Sequence, residues 1–423
     1  MNNIGFKQAD ILLPNETDIT KWAVVACDQF TSEQTYWKEV EAFVGDAPST
    51  LKITLPEVYL ENADVKTRIE DINRTMQAYL DDKLFKQLND SFIYVERTQR
   101  NGVTRKGLMG VVDLEMYDYS KGSQSLIRAT EGTVLERIPP RVRVRENAAL
   151  EIPHIMLLID DINDTVIEPL KNKTNNFEKC YDAQLMQQSG SIKGYKVDAE
   201  STKNIINALS ILAEKQAFEK KYNVHDKGVL LFAVGDGNHS LATAKECFER
   251  IKRTMTEAEW QNHPARFALV EVVNVHDEAL EFEPIHRVIF DVNPQHMIDA
   301  LANYYEISFE EIKNSQSFEY ITVNGRRRVY VKNPSSNIAA GTLQNFIDSY
   351  ISKNGGKVDY IHGDDVVVSL CKQQGNIGFL LPPMNKSELF KTVIIDGVLP
   401  RKTFSMGHAW DKRFYMECRR LKG

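Results

Sequence analysis

Cysteine is scarce and scattered. Cys27, Cys180, Cys247, Cys371 and Cys418 lie far apart and form no CxxC pair, so the sequence offers neither a zinc ribbon nor a disulfide framework. Free thiols fit a reducing compartment. The common nucleotide and metal signatures are missing too. There is no GxxxxGK[ST] loop, no GxGxxG turn and no HExxH helix, and no GxSxG elbow. His225, His239, His263 and His276 do not have the spacing that specifies zinc. No apolar run approaches the roughly 20 residues of a membrane-spanning helix, and no basic segment followed by an apolar run opens the chain, so no signal peptide is expected. These absences predict a cytoplasmic protein with no membrane partner. The net charge of −7 argues against a general nucleic-acid binder.

What is present is an ordinary globular composition, 42% hydrophobic and 26% charged over 423 residues, enough for a substantial core and two or three domains. The chain is organised around the stretch from Gly228 to Lys245. Val229 to Val234 is a continuous apolar run, expected as a strand buried on both faces. From Leu241 the sequence turns rich in Ala, Lys and Glu, which predicts a helix. Between them stand Gly235, Asp236, Gly237, Asn238, His239 and Ser240. The two glycines permit backbone angles that other residues resist, and Asn238 or Ser240 can cap the helix. A glycine turn feeding a helix start aims several N–H groups at one point and favours an anion there. Asp236 adds an acid or metal ligand and His239 a proton carrier. The plainer alternative is a capped strand–helix turn.

Elsewhere, Trp22 to Ala26 is expected as a strand, followed by a turn at Cys27 to Phe30 and a helix from Thr31 to Val44, with Thr31 capping and Gln34 completing a capping box. Asp28 then stands between a strand end and a helix start, either as a functional carboxylate or as a second cap. Asp64 to Leu84 is an amphipathic helix. Phe92 to Asp113 is a hairpin with Asn101-Gly102 as a type I′ turn. Ser123 to Asn147 carries five arginines, whose forks suit phosphate or carboxylate. The alternation of Arg141, Arg143 and Arg145 also fits the wet face of a strand with Val142 and Val144 facing in, the reading favoured for Arg143 and Arg145, and Arg128 and Arg137, near Glu131 and Thr133, are the better ligand candidates. Ile155 to Ile159 and Phe267 to Val275 are strands, and Thr202 to Tyr222 is a helix. His286 and Arg287 lie in the run Phe282 to Phe290, where only one of them faces any given site. Helix and strand alternate beyond Pro294. The expected class is mixed α/β, with a main region over 1–293 carrying the central turn and a smaller α/β region over 294–423.

The turn from Gly235 to Ala244 resembles the Asp-Gly-His-His-Arg turn and alanine-containing helix of domain-of-unknown-function family one thousand and fifteen. The resemblance covers nearly the whole chain. The Asp28 turn matches that family's early Tyr-Asp turn, and Arg128, Glu131 and Thr133 resemble its Arg-His-Glu-x-Thr segment. Pro284, His286 and Arg287 match its Pro-x-His-Arg segment, and Pro383 with Pro400 to Thr403 resembles its proline-rich end. The Asp-Gly-x-His turn is also similar to one in the ParB/sulfiredoxin superfamily, which includes nucleotide-binding partition proteins, sulfiredoxins and an ADP-dependent kinase of free serine. This second similarity implies a ParB/sulfiredoxin-like core, a mixed sheet with flanking helices, in which Gly237 to Ser240 holds nucleotide phosphates. The sequence departs from the pattern twice. Asn238 replaces a first His, and Ser240 replaces an Arg that would clamp phosphate, leaving Arg128, Arg287 or Arg401 to supply that charge.

The function these resemblances imply is a small-molecule, serine-type phosphotransferase using ATP or ADP with Mg²⁺. Gly235, Gly237, Asn238 and Ser240 would hold phosphates, and Asp236 would orient the metal or act as base. His239 would contact the transferring group, Arg128 and Arg287 would neutralise developing charge, and Asp28 or Glu131 would activate a hydroxyl. A non-catalytic nucleotide- or metabolite-binding regulator needs the same turn without a base. A phosphate-ester hydrolase would use water as acceptor.

Overall fold

The computed structural model describes residues 4–31, 33–132, 136 and 138–422. The chain forms two units, one running to Leu280 and taking in the segment from His408 onward, the other Glu281–Gly407. The sequence pointed to a single cut at residue 293. The first cut falls earlier because Phe282–Phe290 is a strand of the second unit's sheet, and the chain's last segment returns to the first unit.

The first unit is built on a ten-stranded mixed sheet. Its strands are β1 (Phe6–Lys7), β2 (Ile93–Thr98), β3 (Thr104–Asp113), β4 (Tyr117–Asp118), β5 (Ile127–Ala129), β6 (Met156–Ile159), β7 (Glu178–Gln184), β8 (Ser191–Lys196), β9 (Phe232–Asp236) and β10 (Phe267–Asn274). They lie in the order β7-β8-β2-β3-β10-β6-β9-β5-β4, with β1 paired to β3. The β10–β6, β9–β5 and β5–β4 pairs are parallel and the others antiparallel. Successive side chains of a strand face opposite sides, and the two sides carry separate cores. Ile93, Val95, Met109, Val111 and Leu269 pack with Trp37 and Val40 of α1 (Gln34–Val44) and with Ile72 and Met76 of α2 (Val65–Asp81). Tyr94, Leu108, Val112, Ala268, Val270 and Val272 face the other way, toward Ile205 and Leu209 of α4 (Ala199–Leu212) and Leu241 and Phe248 of α6 (Asn238–Lys252). Between α2 and α4 in the chain lies α3 (Ile138–Arg145), and Lys215–Tyr222 forms α5.

Several local expectations are corrected. The stretch Trp22 to Ala26 is not a strand. Asp18 caps a short helix, Ile19–Trp22, and Val25 makes only an isolated bridge to Phe414. Helix α1 starts at Gln34, after Glu33, with no side-chain cap, so the Thr31–Gln34 capping box does not form. The hairpin loop is Arg100 to Gly102: Gln99 N–H bonds Val103 O at 2.9 Å and Gly102 takes φ 84°. This is a three-residue turn with glycine in the left-handed position, not the two-residue type I′. Arg141, Arg143 and Arg145 lie on helix α3, because Pro139 and Pro140 fall in its first turn, where missing N–H groups cost nothing. Arg141 there pairs with Glu57 and Arg145 with Glu151. The helix expected over Thr202 to Tyr222 is interrupted at 213–214, giving α4 and α5.

The returning segment is fastened by buried charge. Arg413 pairs with Glu271 and Glu417, all under 3% exposed, and its Nε donates to Pro153 O at 3.1 Å. Arg97 and Arg105, also buried, donate to Trp410 O at 2.9 Å and Asp411 O at 3.0 Å.

The second unit is a seven-stranded sheet, all antiparallel, with Phe282–Phe290 in its interior between Ile377–Leu380 and Lys357–His362. Helices Pro294–Tyr304, Ala339–Asn354, Asp364–Leu370 and Lys386–Asp396 complete it. Among the described residues no helix is long and apolar enough to cross a membrane.

Removing one member of a buried charge network strands its partners in a dry interior, a loss of about 3–5 kcal/mol. Arg413→Leu is therefore expected to lower stability by that amount in urea denaturation. A loss under about 1 kcal/mol would contradict the anchoring role.

Candidate functional site

The site grows from the end of β9. Asp236 closes the strand, Gly237 turns the chain at φ 79°, and α6 begins at Asn238. Only glycine fits at 237: the angle is left-handed, and a Cβ would stand 3.0 Å from Ile155 Cα. Gly235 lies in the strand without a positive φ, so the expected use of both glycines as turn residues holds only for Gly237. Neither Asn238 nor Ser240 caps the helix. The cap residue is Gly237, with no side-chain hydrogen bond to the first turn.

The two side chains are used sideways instead. Asn238 Oδ1 accepts from Thr130 N–H at 3.2 Å, and Thr130 Oγ1 donates to Val234 O at 2.6 Å, which ties the end of β5 to the turn. Ser240 Oγ lies 3.1 Å from His154 Nε2. His154 precedes β6 and is 6% exposed. The same Nε2 stands 3.5 Å from Asp28 Oδ2, and Nδ1 lies 2.8 Å from the Tyr415 hydroxyl. That hydroxyl also accepts the Cys27 N–H at 3.0 Å. Lys412 Nζ stands 3.3 Å from Asp236 Oδ2. Ala26 N–H bonds Arg413 O at 2.9 Å and Tyr415 N–H bonds Val24 O at 2.8 Å, so the Asp28 loop and the Lys412 segment are laced together.

The result is a half-buried patch in which Asp28, Asp236, His154, Lys412 and Ser240 surround the start of α6. The first N–H groups of any helix lack partners within it and carry partial positive charge. Burial raises the Asp28 carboxyl, but the charge and hydrogen bond of His154, then Gln29 and Lys412, outweigh burial and hold it below the ordinary carboxylate range. Burial lowers His154, yet Asp28, then Asp236 and Glu57, carry it above the ordinary histidine value. The two form an ion pair. Burial pushes the Cys27 thiol far up, which makes it inert as a nucleophile.

Of the candidates read from the sequence, the structure joins Asp28, Asp236, Gly237, Asn238 and Ser240. His239 is on the same first turn, its carbonyl accepting from Thr243 Oγ1 at 2.7 Å. Glu131 follows Thr130 directly and is half-buried. Thr133 and Arg137 lie outside the described residues. Arg128 holds local backbone. It is 2% exposed, its Nε donates to Ser125 O at 2.7 Å and its Nη2 to Gly228 O at 2.6 Å, so it clamps the loop before β9. Arg287, fully buried in the second unit, is spent on Gln344 Oε1, Lys402 O and Arg401 O. Arg401 is an exposed residue of that unit, 3.8 Å from Asp348. The ammonium that stands beside the turn is that of Lys412. Among the described residues no three His, Cys, Asp or Glu side chains converge as metal ligands, and the Asp236 carboxylate faces the Lys412 ammonium.

Sequence reasoning missed His154, Thr130, Lys412 and Tyr415. Pro153-His154 directly before a buried run was a weak signal. Asp411-Lys412-Arg413 gave none, since its segment has no periodicity.

With this geometry in hand, the class is settled by comparison. The model of the family described as "Protein of unknown function (DUF1015)" matches residues 9–350, and the chain belongs to that family. Lys412 and Tyr415 lie beyond the matched region. No curated protein matches the sequence. Among solved structures, SbnI with a C-terminal truncation from Staphylococcus aureus is similar at 10% identity and TM-score 0.36, over 71% of this chain and 83% of its own. A conserved hypothetical protein from Pyrococcus furiosus is similar at 9% and 0.35, over 72% and 93%. A free serine kinase in complex with AMP is similar at 9% and 0.37, over 74% and 91%.

The ion pair sets a pH dependence. His154, raised in the folded state, contributes stability that is full below its unfolded value near 6.5 and is lost as pH rises through the folded one. Asp28, lowered, contributes above its unfolded value near 3.9 and loses that contribution as pH falls through the folded one. The stability difference between the native protein and Asp28→Asn is therefore expected to be largest between about pH 4 and 6.5 and to shrink on either side. Thermal melts across pH 3 to 9 measure it, and a difference independent of pH would contradict the pairing.

Proposed function

We propose that this site binds the phosphoryl end of a small ligand and transfers phosphate from ATP or ADP to a small hydroxyl acceptor of the serine type. The observation that supports the reading is the uncapped start of α6 at Gly237, with Lys412 and His154 brought beside it from distant parts of the chain. Helix N–H groups and an ammonium are a phosphate's usual partners. In this reading Lys412 supplies the positive charge that Ser240, standing where the family pattern has Arg, does not. Ser240 and the N–H groups of the first turn orient phosphate oxygens. Asp28, held in place by His154, accepts the hydroxyl proton of the acceptor. Asp236 keeps Lys412 aimed at the turn.

A non-catalytic regulator is the second reading, favoured by one observation: both carboxylates already face cations, Asp28 with His154 and Asp236 with Lys412, which weakens each as a base.

Calorimetric titration with ATP, ADP and tripolyphosphate tests binding. Lys412→Met removes a charge-assisted contact and is expected to weaken binding about 10- to 100-fold. Unchanged affinity would overturn the site assignment. If transfer occurs, Asp28→Asn is expected to lower turnover with free serine at least about 100-fold while the nucleotide still binds. Tight binding with no transfer to any hydroxyl acceptor favours the regulator, and phosphate release without an acceptor favours a hydrolase.

A further inference from the structure

Two segments build the anion site, and each carries a part-exposed aromatic ring two residues away from its site residue. Phe30 follows Asp28, and Trp410 precedes Lys412. Two residues span at most about 7 Å, so both rings are rooted next to the charged groups. Phe30 stacks on Tyr36 of α1, ring centroids 3.8 Å apart at 15°. The Arg100 guanidinium lies 4.4 Å from the Trp410 ring centre, and its charge also acts on the Tyr36 hydroxyl, which burial raises far above its ordinary value. Val25 bridges Phe414 antiparallel and Ala26 N–H bonds Arg413 O, so the chain running on to Phe30 lies beside the chain coming from Trp410. Phe30 has φ 52°, a left-handed angle that a bulky residue rarely takes and that costs energy. The strained angle holds a large apolar ring partly exposed at the edge of a charged site, packed on its inner side against the core.

We propose that Phe30, Tyr36 and Trp410, with Arg100, form a stacking ledge for the planar base of a nucleotide whose phosphates lie at the start of α6. The proposal rests on the phosphate-binding reading above and adds the nucleoside half of the ligand. The occupant is a flat heterocycle carried by a polyanion. Aromatic faces and a guanidinium plane both stack on bases of any sequence, and the ledge shares its two segments with the phosphate subsite. Stacking of this kind tolerates different bases, so ATP and CTP should bind within a few-fold of each other.

The test separates the two halves of the ligand. Tripolyphosphate, ATP and CTP are titrated into the full chain and into Phe30→Ala and Trp410→Leu. Both nucleotides are expected to bind the native protein more tightly than tripolyphosphate. Each substitution should weaken nucleotide binding about 5- to 100-fold and leave tripolyphosphate unchanged. Trp22 and Trp37 are fully buried and Trp260 is partly exposed, so the signal is assigned by substitution: quenching of native fluorescence by ATP but not by tripolyphosphate, lost in Trp410→Leu, supports the ledge even if Phe30→Ala fails to fold. Equal affinity for tripolyphosphate and nucleotides, or nucleotide affinity unmoved by Trp410→Leu with no quenching, overturns the ledge and leaves the phosphate reading standing. No binding of tripolyphosphate or either nucleotide overturns both.

Discussion

The site depends on a buried cation. Arg413 sits between Glu271 on the central sheet and Glu417 on its own segment, and its side chain also reaches Pro153 O, one residue before His154. Burying three charges is costly, and such clusters are often no more stabilising than apolar packing of the same volume. What this cluster contributes is position. One guanidinium joins the sheet, the residue before His154 and the segment that carries Lys412 and Tyr415. Three parts of the site, far apart in sequence, are thereby referred to one rigid point.

The electrostatics then follow from geometry. His154 has a carboxylate and a serine hydroxyl at one ring nitrogen and a phenol at the other, so its protonated form is the stabilised one. Each carboxylate at the turn has a cation opposite it. The first N–H groups of α6 add partial positive charge. Under the proposed reading an anion would meet that end without displacing a capping side chain, because Asn238 and Ser240 are turned toward Thr130 and His154.

Much of this was legible in the sequence. The strand, turn and helix around Gly235 to Ser240 were read from an apolar run meeting a glycine-rich polar stretch, and all three form there. The mixed α/β class followed from the alternation of elements, and the family from motifs spread along the chain. Other parts resisted for identifiable reasons. A buried Arg128 and a ligand-binding Arg128 look the same in sequence, since the difference lies in two carbonyls, at Ser125 and Gly228. Pro139-Pro140 discouraged a helix that in fact begins just before them. The alternation of arginines imitated a strand, whereas Arg141 and Arg145, four apart and so on one face of α3, pair with separate carboxylates. Lys412 and Tyr415 come from a segment without periodicity, and only long-range packing brings them to the turn.

The central claim is that an anion sits on the first turn of α6 beside Lys412. Backbone amide resonances followed during titration with tripolyphosphate test this most directly. The account predicts saturable shifts concentrated at Gly237, Asn238, His239 and Ser240, with smaller changes at Lys412 and His154. Binding that leaves those amides unmoved and shifts resonances elsewhere would contradict it.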